Sequence, residues 1–293
     1  MRPYEPLGGP ESMGAAGPGG SRGRLRIAVV GHVEWVEFIP VSRLPGPGEV
    51  LHAAPGFASA AGGGGVAATV LAQLGAEVDF YCALGLDEHG RAAEQQLKSR
   101  GLRPHVAWRS GPTRRAVTLL PDGGERTIIT LGPRLQPSGD DDLEWDRLDG
   151  CDGAYFTAGD AGALALARTA EVLVCSPRAH AAFEPGGPVV DALVLSAHDE
   201  QEREWAEGIH QRARLLVATE GAEGGRWWSE REPAVSGRWE AAAAEGEVHD
   251  SYGCGDSFAA GFTCGLAAGE SIPEAAALGA RCGARCLTRV GAP

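Results

Sequence analysis

Asp250-Ser251-Tyr252-Gly253-Cys254-Gly255-Asp256-Ser257-Phe258 is the stretch on which the reading of this chain turns. Two glycines bracket a turn that runs straight into a helical pattern of small and apolar residues, Asp256 to Ala268, ended by Gly269. The first amides of a helix have no preceding carbonyl to bond, and the helix dipole adds positive potential at the same point, so such a turn prepares an anion site. Gly253 and Gly255 permit close backbone approach, and Asp256 sets a carboxylate beside the anion. A carboxylate there is useful if it takes a proton from an attacking hydroxyl; a plain helix-capping Asp fits the spacing equally well. A dinucleotide fingerprint is excluded, because Phe258 stands where the third glycine belongs and residues 245–250 are not an apolar strand. A nucleophile elbow is excluded for want of Gly-x-Ser-x-Gly.

Outward from this turn the chain alternates short apolar runs with helical patterns. Strands are expected at Leu25 to Val30, Val78 to Ala83, Gly153 to Thr157, Glu171 to Cys175, Ala192 to Ser196 and Leu215 to Thr219. Helices are expected at Val66 to Leu74, Glu88 to Arg100, within 197–212, and after Ser271, where Glu274 three residues on completes a capping box. This βαβ rhythm predicts an α/β fold with a mostly parallel central sheet covered by helices on both faces. The strands lack polar alternation, as strands buried on both sides do. Between 103 and 131 the rhythm changes to strands around a Pro121-Asp122-Gly123-Gly124 turn, so 33–53 and 103–131 are expected to form a small β lid. Residues 1–23 carry seven glycines and four prolines and read as a tail, leaving 24–293 as one domain.

Composition narrows the functions. The chain has 293 residues, 26 basic against 39 acidic, and a net charge of −13, which excludes duplex binding through a basic face; no nucleic-acid partner is expected. Lys98 is the sole lysine and Leu97 precedes it, so no Walker A loop exists, and its polar neighbours describe an exposed helix face. The seven cysteines form neither a C-x-x-C pair nor a zinc spacing, so reduced thiols and a cytoplasmic location are expected. The longest uncharged run, 53–76, is mostly Gly, Ala and Ser, and no membrane span is expected.

The run Asp250 to Phe258 closely resembles the C-terminal signature of the ribokinase-like, PfkB-type carbohydrate kinases, Asp-Thr-x-Gly-Ala-Gly-Asp, with Ser251 and Cys254 as departures. Further similarities follow in family order. Gly62 to Gly65 resembles the sugar loop, Gly85-Leu86-Asp87-Glu88-His89-Gly90 the Gly-x-Asp-x-x-Gly turn, and Pro121 to Thr127 the lid hairpin. Thr219-Glu220-Gly221-Ala222-Glu223-Gly224 is similar to the nucleotide-side Thr-x-Gly-x-x-Gly, and the ending Thr288 to Ala292 also fits. The resemblance implies a three-layer fold and ATP- and Mg2+-dependent phosphorylation of a hydroxymethyl group on a sugar, sugar acid or nucleoside. It makes Asp256 the general base and the amides of Gly253, Cys254 and Gly255 the anion hole. It further assigns substrate contacts to Gly63, Gly64 and Asp250, and nucleotide contacts to Ser196, Thr219, Gly221 and Gly224; a homodimer through the lid is a further implication.

Departures are specific. Val36 stands where the family holds sugar hydroxyls with Asp, and Val66 where it places Asn after the glycine loop. Glu34, two residues earlier on the same strand face, is the candidate substitute, against an exposed lid residue. The family's Asn-x-x-Glu, which orders magnesium-bound water, is read as Ser196-Ala197-His198-Asp199, making Asp199 the metal-linked acid or else a solvated helix-start residue. Arg178 reads as a surface arginine or as a contact for an anionic sugar or phosphate, and Cys254 as a replacement for Ala or a helix-start thiolate. The competing function is a non-catalytic small-molecule-binding or regulatory protein that kept the kinase scaffold.

Overall fold

The computed structural model describes residues 23–121, 126–232 and 234–292; the proposed tail and the centre of the lid turn lie outside them. Nine strands build the main sheet: β1 (Arg26–Val30), β4 (Glu77–Gly85), β5 (Arg103–Arg109), β8 (Gly153–Phe156), β9 (Val172–Cys175), β10 (Val190–Ser196), β11 (Ala213–Thr219), β12 (Gly225–Trp228) and β13 (Ser236–Trp239). Their order is β13-β12-β11-β10-β9-β8-β1-β4-β5, and all neighbours pair parallel except the antiparallel pairs of β12 with β11 and with β13.

Alternation along β1 divides the core. Ile27 and Val29 face the layer of α1 (Gly62–Gln73), α2 (Glu88–Ser99), α5 (Cys254–Ala267) and α6 (Ile272–Leu287). Ala28 and Val30 face the opposite layer, which includes α3 (Ala161–Ala167) and α4 (Glu200–Ile209). Both layers are continuous apolar clusters, so the expected three-layer α/β architecture is present. Phe262 on α5 is fully buried in the first layer; removing a ring of that kind typically costs about 3–5 kcal/mol. Trp227 stacks on Trp239, and Trp239 on Phe258, so these rings pack the core beside the start of α5.

The second sheet is smaller, with order β3-β2-β6-β7, from β2 (Glu34–Val41), β3 (Phe57–Ala61), β6 (Arg115–Pro121) and β7 (Thr127–Leu131). Its composition differs from the expectation at two places. Arg103 to Arg109, expected in the lid, pairs parallel with β4 and forms the edge of the main sheet. Phe57 to Ala61 joins the lid antiparallel to β2. Side chains contribute to the first difference: buried Asp79 on β4 accepts hydrogen bonds from Arg103 and bonds His105 at 2.8 Å, tying that strand to β4. The lid has a core of its own, in which Val36, Phe38, Ala61 and Ala116 pack with Val66 of α1 and Tyr252.

Candidate active site

The turn entering α5 is held from three sides. Gly253 lies in the left-handed region at φ +77°, and the methyls of Val66 would stand 3.0 Å from a Cβ there, so the turn rests directly on α1. Asp250 braces it from below: Oδ1 accepts from the Tyr252 amide at 2.5 Å and Oδ2 from the Gly291 amide at 2.6 Å. Both carboxylate oxygens of Asp250 are engaged by backbone, which gives it a structural task in holding the turn. From the lid side Arg126 donates to Ser251 Oγ and lies over the Tyr252 ring, while Tyr252 Oη accepts from the Gly62 amide at 3.2 Å.

Of the three amides expected in the anion hole, that of Cys254 bonds Ser251 O at 3.3 Å. Gly255 is exposed, with no atom within 4 Å of where a Cβ would stand, so the backbone here is open to an incoming group. Cys254 itself is no thiolate: a hydrogen bond with the Cys286 thiol, followed by burial, pushes its pKa far up. The side chain packs in place of the family's Ala.

Asp256, in the first turn of α5, points at the glycine loop; a Cβ on Gly63 would stand 2.9 Å from Asp256 Oδ1. Burial raises the Asp256 pKa, and the Glu202 charge raises it further against opposition from Arg178 and Arg126. Gly64 is packed away from this carboxylate, its amide bonding His32 O at 3.1 Å. Of the two glycines assigned to substrate, Gly63 therefore borders the site and Gly64 supports it.

The other wall comes from the segment that joins β1 to the start of β2. His32 and Glu34 are each 7% exposed, and His32 Nε2 accepts from the Gly63 amide at 3.3 Å. Burial, followed by the charges of Arg134, Arg178 and Arg114, pushes the His32 pKa down to about 3, so the ring is neutral. With Nε2 accepting, the proton sits on Nδ1, which has no hydrogen-bond partner. Glu34 lies 3.0 Å from Arg114 Nε and 3.7 Å from His32 Nε2; burial raises its pKa against the pull of Arg114 and Arg134. Glu34 is therefore buried at the site and is not an exposed lid residue.

Asp199 is the residue whose placement departs most from expectation. Its Oδ1 accepts from the Glu202 amide at 3.1 Å, so it caps α4. Glu202 turns inward: it is 6% exposed, takes the Ser196 amide at 2.8 Å and Arg178 Nε at 2.5 Å, and acts on Asp256. A strongly acidic helix start concealed which acid turns inward.

On the nucleotide side, Ser196 and Thr219 stand opposite each other at the parallel ends of β10 and β11. The turn that follows has φ of +61° at Gly221 and +83° at Gly224, and a Cβ on Gly224 would stand 2.1 Å from Trp239 O, so only glycine fits. Glu220 in this turn is clamped by Arg226 at 3.2 Å and by Arg238. A cavity of about 480 Å³ opens behind the α5 turn, lined by Ser257, Leu278, Arg281 and Cys282 among others; none of Thr219, Gly221 or Gly224 lines it.

A half-buried carboxylate at a helix start, a glycine loop against it and a tight turn at neighbouring strand ends are the arrangement a phosphotransferase site requires. Residues 24–175 and 191–293 match the profile of the pfkB family of carbohydrate kinases, and the chain belongs to that family, whose members are ATP-dependent kinases. Its fold is similar to that of Arabidopsis thaliana ribokinase complexed with ribose and ATP, with TM-score 0.70, 20% identity, and 92% of this chain and 94% of that chain covered. A microbiome-derived acarbose kinase gives TM-score 0.76 at 22% identity over 92% and 94% of the two chains. Adenosine kinase from Sinorhizobium meliloti gives 0.72 at 18% over 92% and 95%. No match was found among curated proteins. No helix among the described residues is long and apolar enough to cross a membrane.

Proposed function

We propose that this sugar or nucleoside kinase transfers the γ-phosphoryl group of ATP to a hydroxymethyl group of its acceptor, with Asp256 as general base. The observation that carries the reading is the Asp256 carboxylate held against Gly63 in the first turn of α5, its pKa raised by burial. The acceptor O–H gives its proton to Asp256 as its oxygen bonds the γ-phosphorus. The bond from that phosphorus to the bridging oxygen breaks, and ADP leaves. Asp256 then returns the proton to solvent. Open backbone at Gly255 supports an anion hole formed with the positive end of α5, and Arg178 adds charge on the same side.

Magnesium would arrive on the ATP phosphates, where it spreads the charge of the transferring group. The donor set fits that arrangement: each Glu202 oxygen accepts one hydrogen bond and keeps a lone pair for water of a magnesium–nucleotide complex. Ser196, Thr219 and the Gly221 to Gly224 turn would border the nucleotide. Calorimetric titration with magnesium-ATP, and ADP release across a panel of sugars, sugar acids and nucleosides, tests the reading. Binding with acceptor-dependent ADP release is expected; binding of small molecules with no ADP from any acceptor would favour the non-catalytic alternative.

A further inference from the structure

Two thiols from separate helices meet behind the turn that enters α5. Cys254 opens α5 between the two glycines of that turn, and Cys286 lies in the last turn of α6. Cys286 Sγ donates to the Tyr252 carbonyl oxygen at 3.0 Å, and a Cβ on Gly283 would stand 3.4 Å from the Cys254 carbonyl oxygen. The end of α6 is therefore seated on the turn itself, and there the Cys254 and Cys286 thiols share a hydrogen bond.

A small oxidant can reach this pair from one side. Cys286 lines the cavity of about 480 Å³, together with Ser257, Cys282, Arg281, Arg285 and Arg289. Arg281 and Arg285 are exposed, so the wall that carries Cys286 runs out to the surface. The three arginines recur every four residues along α6 and put positive charge on the face where a thiolate would form. Of the seven cysteines, Cys82, Cys151, Cys175 and Cys264 do not line the cavity. Cys282 does, but burial pushes its thiol up to about 12. At Cys286 the hydrogen bond from Cys254 lowers the pKa, burial opposes it, and Ser257 and Arg289 add to the lowering. Cys286 is thus the better nucleophile of the two that an oxidant can meet.

We propose that Cys286 is an oxidation site, and that hydrogen peroxide joins it to Cys254 in a disulfide that disables the anion hole. The Cys286 sulfur gives up its proton and attacks one peroxide oxygen; the O–O bond breaks, one water leaves with that proton, and a sulfenic acid forms. The Cys254 sulfur then attacks the Cys286 sulfur, the S–O bond breaks, and a second water carries away the Cys254 proton. Two thiols are oxidised by two electrons in all, and one peroxide is reduced to two waters. The new bond brings the sulfurs to about 2 Å, far inside hydrogen-bond contact, so the start of α5 must shift against α6. Asp256 stands two residues beyond Cys254 in the same helical turn, and a displacement of about 1 Å at a reacting group costs on the order of 100-fold. The effect on turnover rests on the kinase reading; the disulfide does not.

The test exposes the reduced full chain to graded hydrogen peroxide and follows three readouts: tryptic peptide masses after alkylation of free thiols, magnesium-ATP binding by calorimetry, and ADP release. Cys286 is the sole cysteine of the tryptic peptide 286–289, so its partner is read directly; the Cys254 peptide, 239–281, also holds Cys264, and Cys254→Ala decides between them. The oxidised protein should carry the link between Cys254 and Cys286, bind magnesium-ATP about 10-fold more weakly and release ADP about 100-fold more slowly, with dithiothreitol restoring both. Cys286→Ser keeps a donor for the Tyr252 carbonyl and should hold its activity in peroxide. Cys254→Ala should lose the link and leave Cys286 as a sulfenic acid that dimedone traps. No link, a link from Cys286 to Cys264 or Cys282, inactivation undiminished in Cys286→Ser, or a link that leaves binding and turnover native would each overturn the inference. Reduced protein that releases no ADP from any acceptor, yet forms the link and loses magnesium-ATP affinity with it, removes the kinase reading and keeps this one; a working kinase that forms no link does the reverse.

Discussion

Replacing Gly63 by Ala tests the site where it is tightest. The added methyl would stand 2.9 Å from Asp256 Oδ1 and 3.3 Å from His32 Cε1, where ordinary contacts begin at 3.4 Å. The carboxylate must therefore move by about half an ångström, and a misplacement of about 1 Å at a reacting group costs on the order of 100-fold, so kcat should fall roughly 10-fold. Stability should hardly change. Oδ1 is the end of a side chain that can rotate, and Ala is favoured over Gly in a helix by about 0.5–1 kcal/mol, which offsets the small yield needed at His32. The methyl also excludes water from the carboxylate, so the acid limb of the pH–rate profile should move upward. Steady-state ADP release over a pH series, with a thermal melt of the same preparation, gives both quantities. Native kcat with an unmoved acid limb would show that Asp256 is not working at this position; a collapsed melting temperature would show that the contact is structural.

Further outcomes follow from the same geometry. Gly255→Ala meets no neighbour and should melt like the native protein, yet it places a methyl beside the anion hole and should lower kcat/KM for ATP by about 10-fold. Because Asp256 must be ionised to act, activity should fall as pH drops through its raised pKa. Arg178→Gln should move that limb up and Glu202→Gln should move it down, as read from pH–rate profiles. Asp79 anchors β5: burial raises its pKa, but hydrogen bonds from His105, Arg147 and Arg103 outweigh burial and hold it well below the ordinary range. Its stabilisation is thus present above the unfolded-state pKa and lost as pH falls toward the depressed folded value. Asp79→Ala should cost about 3–5 kcal/mol in urea unfolding at pH 7 and much less in strong acid.

Much of the fold was legible because the main sheet is buried on both faces, and its strands therefore show as unbroken apolar runs such as Ile27 to Val30 and Leu215 to Ala218. The capping box at Ser271 and Glu274 was legible for a local reason, since its bonds close within four residues. The lid was harder. Arg103 to Arg109 looks like any polar-edged strand, and its pairing with β4, with the Asp79 contact 24 positions earlier, assigns it to the main sheet. At the site, the α5 turn carries its glycines in sequence order, so Asp256 could be singled out. Glu202 could not, because α4 opens with acids at 199, 200 and 202 and only packing decides which one turns inward. Arg114, Arg134 and Arg178 come from distant segments, and nothing in their spacing announces that their charges act on one buried imidazole. Asp250 sits within the signature and bonds the Tyr252 amide locally, yet its bond to the Gly291 amide is a long-range fact of the folded chain.

Single-turnover transfer from radiolabelled ATP, comparing the native protein with Asp256→Asn, bears most directly on the catalytic assignment. The variant should fold, bind magnesium-ATP as the native protein does, and transfer phosphate about 100- to 10,000-fold more slowly, the usual contribution of a positioned base. Transfer within a few-fold of the native rate would contradict it.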